Sequence, residues 1–234
     1  MKWKRSLLVL VLLTVAAIPV ALYAVRQWQS DSNTVIRRWL REPESRLPLN
    51  TPNDSTCGDA PFLLPSAGLI GLLWGDTARP YNILRRHTGI DIFGDGPNGT
   101  VPIVAAYDGY LTRGDDWLAT VAIRHDDPLQ PGRVIWTYYT HMASAAGSES
   151  YVHEAFPPGT SEQFVEQGTL LGYQGDYNGS GPWIATHLHL SIVTSEADGS
   201  LKNEAVLGNT LDPSPYFGLS LNFGDRPAFP VRCP

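Results

Sequence analysis

The chain has 234 residues, 43% of them hydrophobic and 17% charged, which suits one globular domain with accessory segments and is ample for a core. Its formal charge is −6, but seven of the 17 basic groups and only one acidic group fall in residues 1–41, leaving −12 on the remainder. So acidic a body excludes nucleic acid as a partner, because affinity for phosphate backbones comes from Lys and Arg; most of these carboxylates are read as a solvated surface.

Taken in chain order, "MKWKRSLLVLVLLTVAAIPVALYAVRQWQ" places Lys2, Lys4 and Arg5 before an uncharged, largely apolar run of 20 residues, 6–25. A bilayer core requires about 20 residues of helix. The cleavage-like triplets Val15-x-Ala17 and Leu22-x-Ala24 are weak, so residues 1–25 read as a transmembrane signal anchor rather than a cleaved signal peptide. The expectation is a single-pass protein of the cell membrane with its domain outside the cytoplasm, or a secreted one if the segment is cut. Arg26, Arg37, Arg38 and Arg41 follow the span, so its orientation rests on the signal-like order of charges alone.

Residues 26–61 read as a short helix and a Pro-rich spacer. "SNTVIRRWLREP" predicts the helix, with Ser32 or Asn33 as N-cap and Glu42-Pro43 as its stop. "PESRLPLNTPNDSTCGDAP" has no helical or strand period and predicts a spacer that lifts the domain off the membrane. Residues 62–212 read as the domain proper. "VPIVAAYDGYLTRG", "LATVAIRHDD", "RVIWTYYTHM" and "THLHLSIVTS" are short, β-branched and aromatic runs between Gly, Pro and Asp turns. They predict an all-β, mostly antiparallel fold, sheet on sheet or a partly open barrel. The loop "SAAGSESYVHEAFPPGTSEQF" is expected at a rim, with His153 as an exposed loop histidine. Residues 213–234 are proline-rich and irregular, and are expected to wrap the surface. Cys57 and Cys233 lack C-x-x-C spacing; they either pair in an oxidising compartment or remain free thiols. No feature of the sequence sets an oligomeric state.

In "ATHLHLSIV" two of the chain's six histidines stand two residues apart. On a strand His187, His189 and Ser191 share one face while Leu188, Leu190 and Ile192 share the other. If the histidines belong to a metal site, a further ligand must come from elsewhere, since catalytic zinc takes three protein ligands and keeps an open position. "RRHTGIDIFGDG" supplies His87 and Asp91; on a straight strand these lie about 13 Å apart, and a bend at Gly89 or a helical turn would bring them together. "WTYYTHM" supplies His141 at a strand end, with Thr137 and Tyr139 on its face. Such a histidine, with an ordinary pKa near 6.5, can exchange protons without binding the ion. His125 shares a face with Val121 and Ile123 and reads as structural. Any one of these histidines alone is better explained as a core or surface residue; the arrangement is what points to chemistry.

"HTGID", "TYYTHM", "VEQGTLLGYQGDYNGSGP" and "THLHLSI", in that order, resemble the M23, or LytM/lysostaphin-type, zinc metallopeptidases of bacterial cell walls over about residues 62–195. The resemblance implies that His87, Asp91 and His189 bind one zinc ion. It implies that His187 and His141 orient and deprotonate the attacking water and steady the oxyanion, and that the substrate is a peptide bond in peptidoglycan stems or cross-bridges. Asn178, Gly179 and Trp183 in "NGSGPWIATH" would line a groove for a small-residue peptide, or form a hairpin turn with a core tryptophan. The chain departs from the pattern in a longer turn after Asp91, an insertion at 143–163, and Leu190-Ser191 where the family has an aromatic-acidic pair. The alternative is a non-catalytic LytM-like module that activates cell-wall amidases, as some relatives do after losing ligands; this chain retains all five positions.

Overall fold

The computed structural model describes residues 30–233. Ten strands form: β1 (Leu69–Leu72), β2 (Ile90–Phe93), β3 (Pro102–Val104), β4 (Gly109–Thr112), β5 (Val121–Asp126), β6 (Val134–Thr140), β7 (Gln163–Val165), β8 (Leu170–Tyr173), β9 (Leu188–Thr194) and β10 (Thr210–Leu211). The large sheet runs β1-β2-β9-β6-β5-β4-β7, and β10 also pairs with β9. β3 and β8 form a separate ribbon. Every strand pair is antiparallel, as the short runs between turns predict.

Alternation divides the large sheet into two faces. Ile90 and Ile92 of β2, Leu188, Leu190 and Ile192 of β9, Tyr139 of β6, and Val121 and Ile123 of β5 enter the main core, joined by Ile103 and Leu171 of the ribbon. On the opposite face the register sets Asp91 beside His189 and His189 beside Thr140, with Tyr138 beside Ser191. The apolar cluster of Ala122, Trp136 and Val193, flanked by Trp117 and Tyr138, lies on that face too.

His125 is structural, as read. It donates Nδ1–H to the Asp108 carbonyl (2.7 Å) and accepts from the Thr137 hydroxyl at Nε2 (2.7 Å). Burial pushes its pKa down to about 4. The 143–163 loop is pinned rather than loose. The Arg113 guanidinium donates to the carbonyls of Trp117, Leu118 and Phe156 and to Ser150 Oγ, while Val152 and Phe156 are buried in the main core.

The expected helix forms as α1 (Ser32–Arg41), with Asp31 as N-cap and Glu42 as C-cap. The segment after it does not behave as a spacer. It continues through a 3₁₀ turn (Pro43–Ser45) into α2 (Arg46–Leu49), and Val35, Trp39 and Leu49 are buried against Leu69 and Phe93. Val35 and Trp39 lie four apart on one helical face, so a short apolar stripe docks a segment whose composition reads as linker. Thr51 bridges Gly68 and donates its hydroxyl to the Val231 carbonyl, and a disulfide joins Cys57 to Cys233 across 176 positions. The C-terminal tail likewise does more than wrap: it forms α3 (Ser214–Phe217) and sends Tyr216, Phe217, Leu219, Leu221 and Val231 into the main core. Among the described residues no helix is long and apolar enough to cross a membrane; the run 6–25 lies outside them.

Two predictions follow from these contacts. Replacing both Cys57 and Cys233 with Ser releases a cross-link spanning 176 positions and is expected to cost up to about 5 kcal/mol in urea unfolding. His125 contributes stability that is complete above its unfolded pKa of about 6.5 and is lost as pH falls towards its folded pKa of about 4, a total of about 3 kcal/mol. Urea midpoints measured across that window should show this slope, and His125→Gln should flatten it.

Candidate metal centre

The bend that brings His87 to Asp91 is made at Gly89, just before β2, where a Cβ would fall 2.0 Å from the Leu190 carbonyl oxygen of β9. Any side chain there would push the two strands apart, which explains glycine between the two polar residues. The antiparallel register then sets Asp91 directly opposite His189. As a result His87 Nε2 lies 3.0 Å from Asp91 Oδ1 and 2.9 Å from His189 Nδ1, while His189 Nδ1 is 2.8 Å from the same carboxylate oxygen. All three residues are buried.

The opposite nitrogen of each ring is already taken. His87 Nδ1 donates to the Leu73 carbonyl (3.0 Å), so Nε2 carries the lone pair. His189 Nε2 lies 2.9 Å from Glu204 Oε1 and 3.0 Å from Ser191 Oγ, leaving Nδ1 to face the cluster. Two ring nitrogens 2.9 Å apart require a proton or a cation between them. Burial opposes charge on His189, but the Glu204 and Asp91 carboxylates outweigh it and push its pKa up to about 10. Burial also acts to raise the Asp91 carboxyl, yet the imidazoles around it, His87 foremost, hold it well below the usual carboxylate range. Two nitrogens and one carboxylate oxygen converging on one point fit a zinc ion with three protein ligands and a remaining open position.

His187 and His141 stand beside this cluster, with ring centroids 4.6 Å apart. His187 shares the face of His189, as strand alternation predicts. It donates Nδ1–H to the Ala185 carbonyl (2.7 Å), and its Nε2 lies 3.6 Å from Asp91 Oδ2. His141 reaches the site by another route. Alternation would align it with Thr137 and Tyr139, both of which face the core; the left-handed backbone at His141 (φ 76°) turns the ring to the other side. There it donates Nδ1–H to the Tyr177 carbonyl (2.7 Å). Gly175 makes this crossing possible, since a Cβ would lie 2.3 Å from the carbonyl oxygens of both His141 and Ala143. Burial lowers the pKa of His187 against the pull of Asp91. Burial and the neighbouring histidines push His141 down to about 3. Both rings are therefore neutral at pH 7, with Nε2 as the free basic nitrogen.

Asn178 and Gly179 line a cleft of about 230 Å³ together with Trp117, Thr120, His141 and Tyr177. Trp183 does not join them. It is 76% exposed, so it is neither a wall of this cleft nor the core tryptophan of an ordinary hairpin. Three further residues join the site, Tyr81, Thr88 and Glu204, to which the sequence reading assigned no role. Tyr81 places its ring 4.8 Å from that of His87, and burial, reinforced by Asp91 and Glu204, raises its hydroxyl pKa so that it remains a donor. Thr88 donates to Glu204 Oε1 (2.5 Å), and Glu204, with its pKa held down to about 2 by His189 against the effect of burial, arrives from a loop 13 residues beyond Ser191.

No protein-family model and no curated protein matches the chain. Solved structures do. The antimicrobial peptidase lysostaphin from Staphylococcus simulans is similar at 22% identity and TM-score 0.41, covering 63% of this chain and 48% of its own. A putative glycyl-glycine endopeptidase LytM from Ruminococcus gnavus is similar at 26% identity and TM-score 0.38, covering 59% and 49%. The prophage-encoded M23 protein EnpA from Enterococcus faecalis is similar at 24% identity and TM-score 0.34, covering 58% and 87%. The matches span about half the length of lysostaphin and LytM. These neighbours are peptidases of the M23 type, the family that the sequence motifs resemble.

The purified chain is expected to bind one divalent cation, measured by metal analysis after dialysis. Zinc at a hundred times its Kd should stabilise it by about 2.7 kcal/mol. Asp91→Ala should lose both the ion and the stabilisation.

Proposed function

We propose that the chain is a zinc-dependent endopeptidase that hydrolyses peptide bonds in peptidoglycan stem peptides or cross-bridges. The observation that carries the reading is the convergence of His87 Nε2, Asp91 Oδ1 and His189 Nδ1 beside two imidazoles whose Nδ1 atoms are engaged by backbone carbonyls. The peptide substrate comes from the motif resemblance. His87, Asp91 and His189 would hold the ion, which when bound supplies Lewis acidity to a carbonyl and lowers the pKa of a water to about 7.

The remaining steps belong to the protein. His187, with its Nδ1–H held by Ala185, accepts a proton from water at Nε2 and can return it to the leaving amine. His141, held by Tyr177 in the same manner, presents its Nε2 as a second base or, once protonated, as a donor to the developing oxyanion. The Tyr81 hydroxyl stays protonated beside His87 and can donate a hydrogen bond. Asn178 and Gly179 border the cleft next to His141, where a peptide backbone can lie.

We place the chain at the cell membrane by residues 6–25, with the folded part outside the cytoplasm; the disulfide suits an oxidising compartment. Because α1 starts at Ser32, few residues separate this run from the folded body, at most about 25 Å of extended chain.

The zinc-loaded chain should release soluble peptides from purified peptidoglycan. His187→Ala and His141→Ala should each keep the ion while lowering kcat about 10²- to 10⁴-fold. Intact wall after prolonged digestion by the zinc-loaded protein would refute the assignment. Mass spectrometry of the products identifies the bond cut.

A further inference from the structure

We infer that Glu204 is the positioning residue of the metal centre: one of its carboxylate oxygens fixes the ring state of His189 and locks together the two chain segments that carry the histidine ligands. The inference rests on the metal-centre reading above and extends it to a residue outside every motif.

Glu204 Oε1 receives three donors. His189 Nε2 lies at 2.9 Å, the Ser191 hydroxyl at 2.7 Å and the Thr88 hydroxyl at 2.5 Å. The first contact selects a tautomer. A carboxylate can only accept, so Nε2 of His189 keeps its proton, and Nδ1, the atom that faces His87 and Asp91, is the nitrogen left to offer a lone pair to an ion. Without that acceptor the neutral ring can move its proton to Nδ1, donate it to Asp91 and cease to be a ligand. The Ser191 hydroxyl, 3.0 Å from the same Nε2, does not substitute, because a hydroxyl accepts or donates with equal ease.

The other two donors come from different elements. Ser191 lies on β9 with His189, whereas Thr88 lies in the bend between His87 and Gly89. A single oxygen therefore ties the bend that carries His87 to the strand that carries His189, across residues 102 positions apart. Glu204 also brings a second negative charge beside the cluster, so that Asp91 and Glu204 together balance a dication.

The loop is built to hold this carboxylate inward. Asn203 and Ala205 on either side are exposed, while the Glu204 side chain is 18% exposed. Lys202 N–H donates to the Thr194 carbonyl (3.3 Å), Ala205 N–H to Asn203 Oδ1 (3.0 Å), and the Asn209 amide to the Asn203 carbonyl (2.9 Å). These bonds fix the backbone on both sides of Glu204.

The test measures metal affinity by chelator competition, and the absorption spectrum of the Co²⁺-loaded full chain, for wild type, Glu204→Ala, Glu204→Gln and Asp91→Ala. Glu204→Ala should weaken affinity about 10- to 100-fold and alter the Co²⁺ ligand-field bands at saturation. Glu204→Gln, which keeps an acceptor oxygen but not the charge, should recover part of the affinity and a spectrum close to wild type. A merely structural role would lower the thermal midpoint of both variants alike and leave the saturated spectrum unchanged. Affinity and spectrum identical to wild type in Glu204→Ala would overturn the inference while leaving the metal centre standing. Absence of binding in the wild type, with Asp91→Ala no different, would overturn both.

Discussion

The molecule depends on one cross-strand pairing, Asp91 of β2 opposite His189 of β9. A slip of β2 by one residue against β9 would turn Asp91 into the core and bring Ile90 and Ile92 to the other face. The same register that buries Ile90, Ile92, Leu188 and Leu190 thus assembles two of the three donors of the candidate metal cluster. Gly89 completes the constraint. By allowing the bend to press against the Leu190 carbonyl, it brings His87 back over the pair it precedes in sequence. Folding energy and site geometry are, to that extent, the same interaction.

Buried charge at such a place must be compensated. Here the compensation sorts the four imidazoles by which nitrogen is occupied. His87, His141 and His187 each give Nδ1–H to a backbone carbonyl, of Leu73, Tyr177 and Ala185 respectively, and so present Nε2. His189 is reversed: Nε2 meets a carboxylate and Nδ1 faces inward. Because backbone carbonyls cannot titrate, three of these ring orientations are set by the fold irrespective of pH, while the fourth depends on a side chain.

Much of this was legible in the sequence. β-Branched and aromatic runs between turns identified the strands, period-two spacing put His187 and His189 on one face, and helix α1 ends at the Glu42-Pro43 signal that marks it. The distance argument for His87 and Asp91 required a bend, and the bend falls where glycine stands. What could not be read is non-local or a break in regularity. His141 reaches the site only because its backbone leaves the strand conformation, an event that alternation cannot foresee. Glu204 lies in "KNEAV", a stretch without hydrophobic period or motif, and its importance exists only through contacts with Thr88, His189 and Ser191. Trp183 could be read as a groove wall or as a core tryptophan; its exposure, which rules out the second, depends on the loop path, which local composition does not determine.

The N-terminal segment shows how packing reaches the chemistry. Trp39, Val35 and Leu49 bury themselves against Phe93, and the Phe93 ring stacks on His187 with centroids 4.9 Å apart at 23°. Ala185, whose carbonyl holds His187 Nδ1, packs against the same apolar cluster. The proposed base therefore stands between the Asp91 carboxylate and the Phe93 ring, which the N-terminal segment packs behind. A segment read as a tether thus buttresses the ring that backs His187. The imidazole is confined by aromatic stacking and a backbone carbonyl, so its Nε2 is held near Asp91 without loss of its lone pair, as a proton acceptor requires.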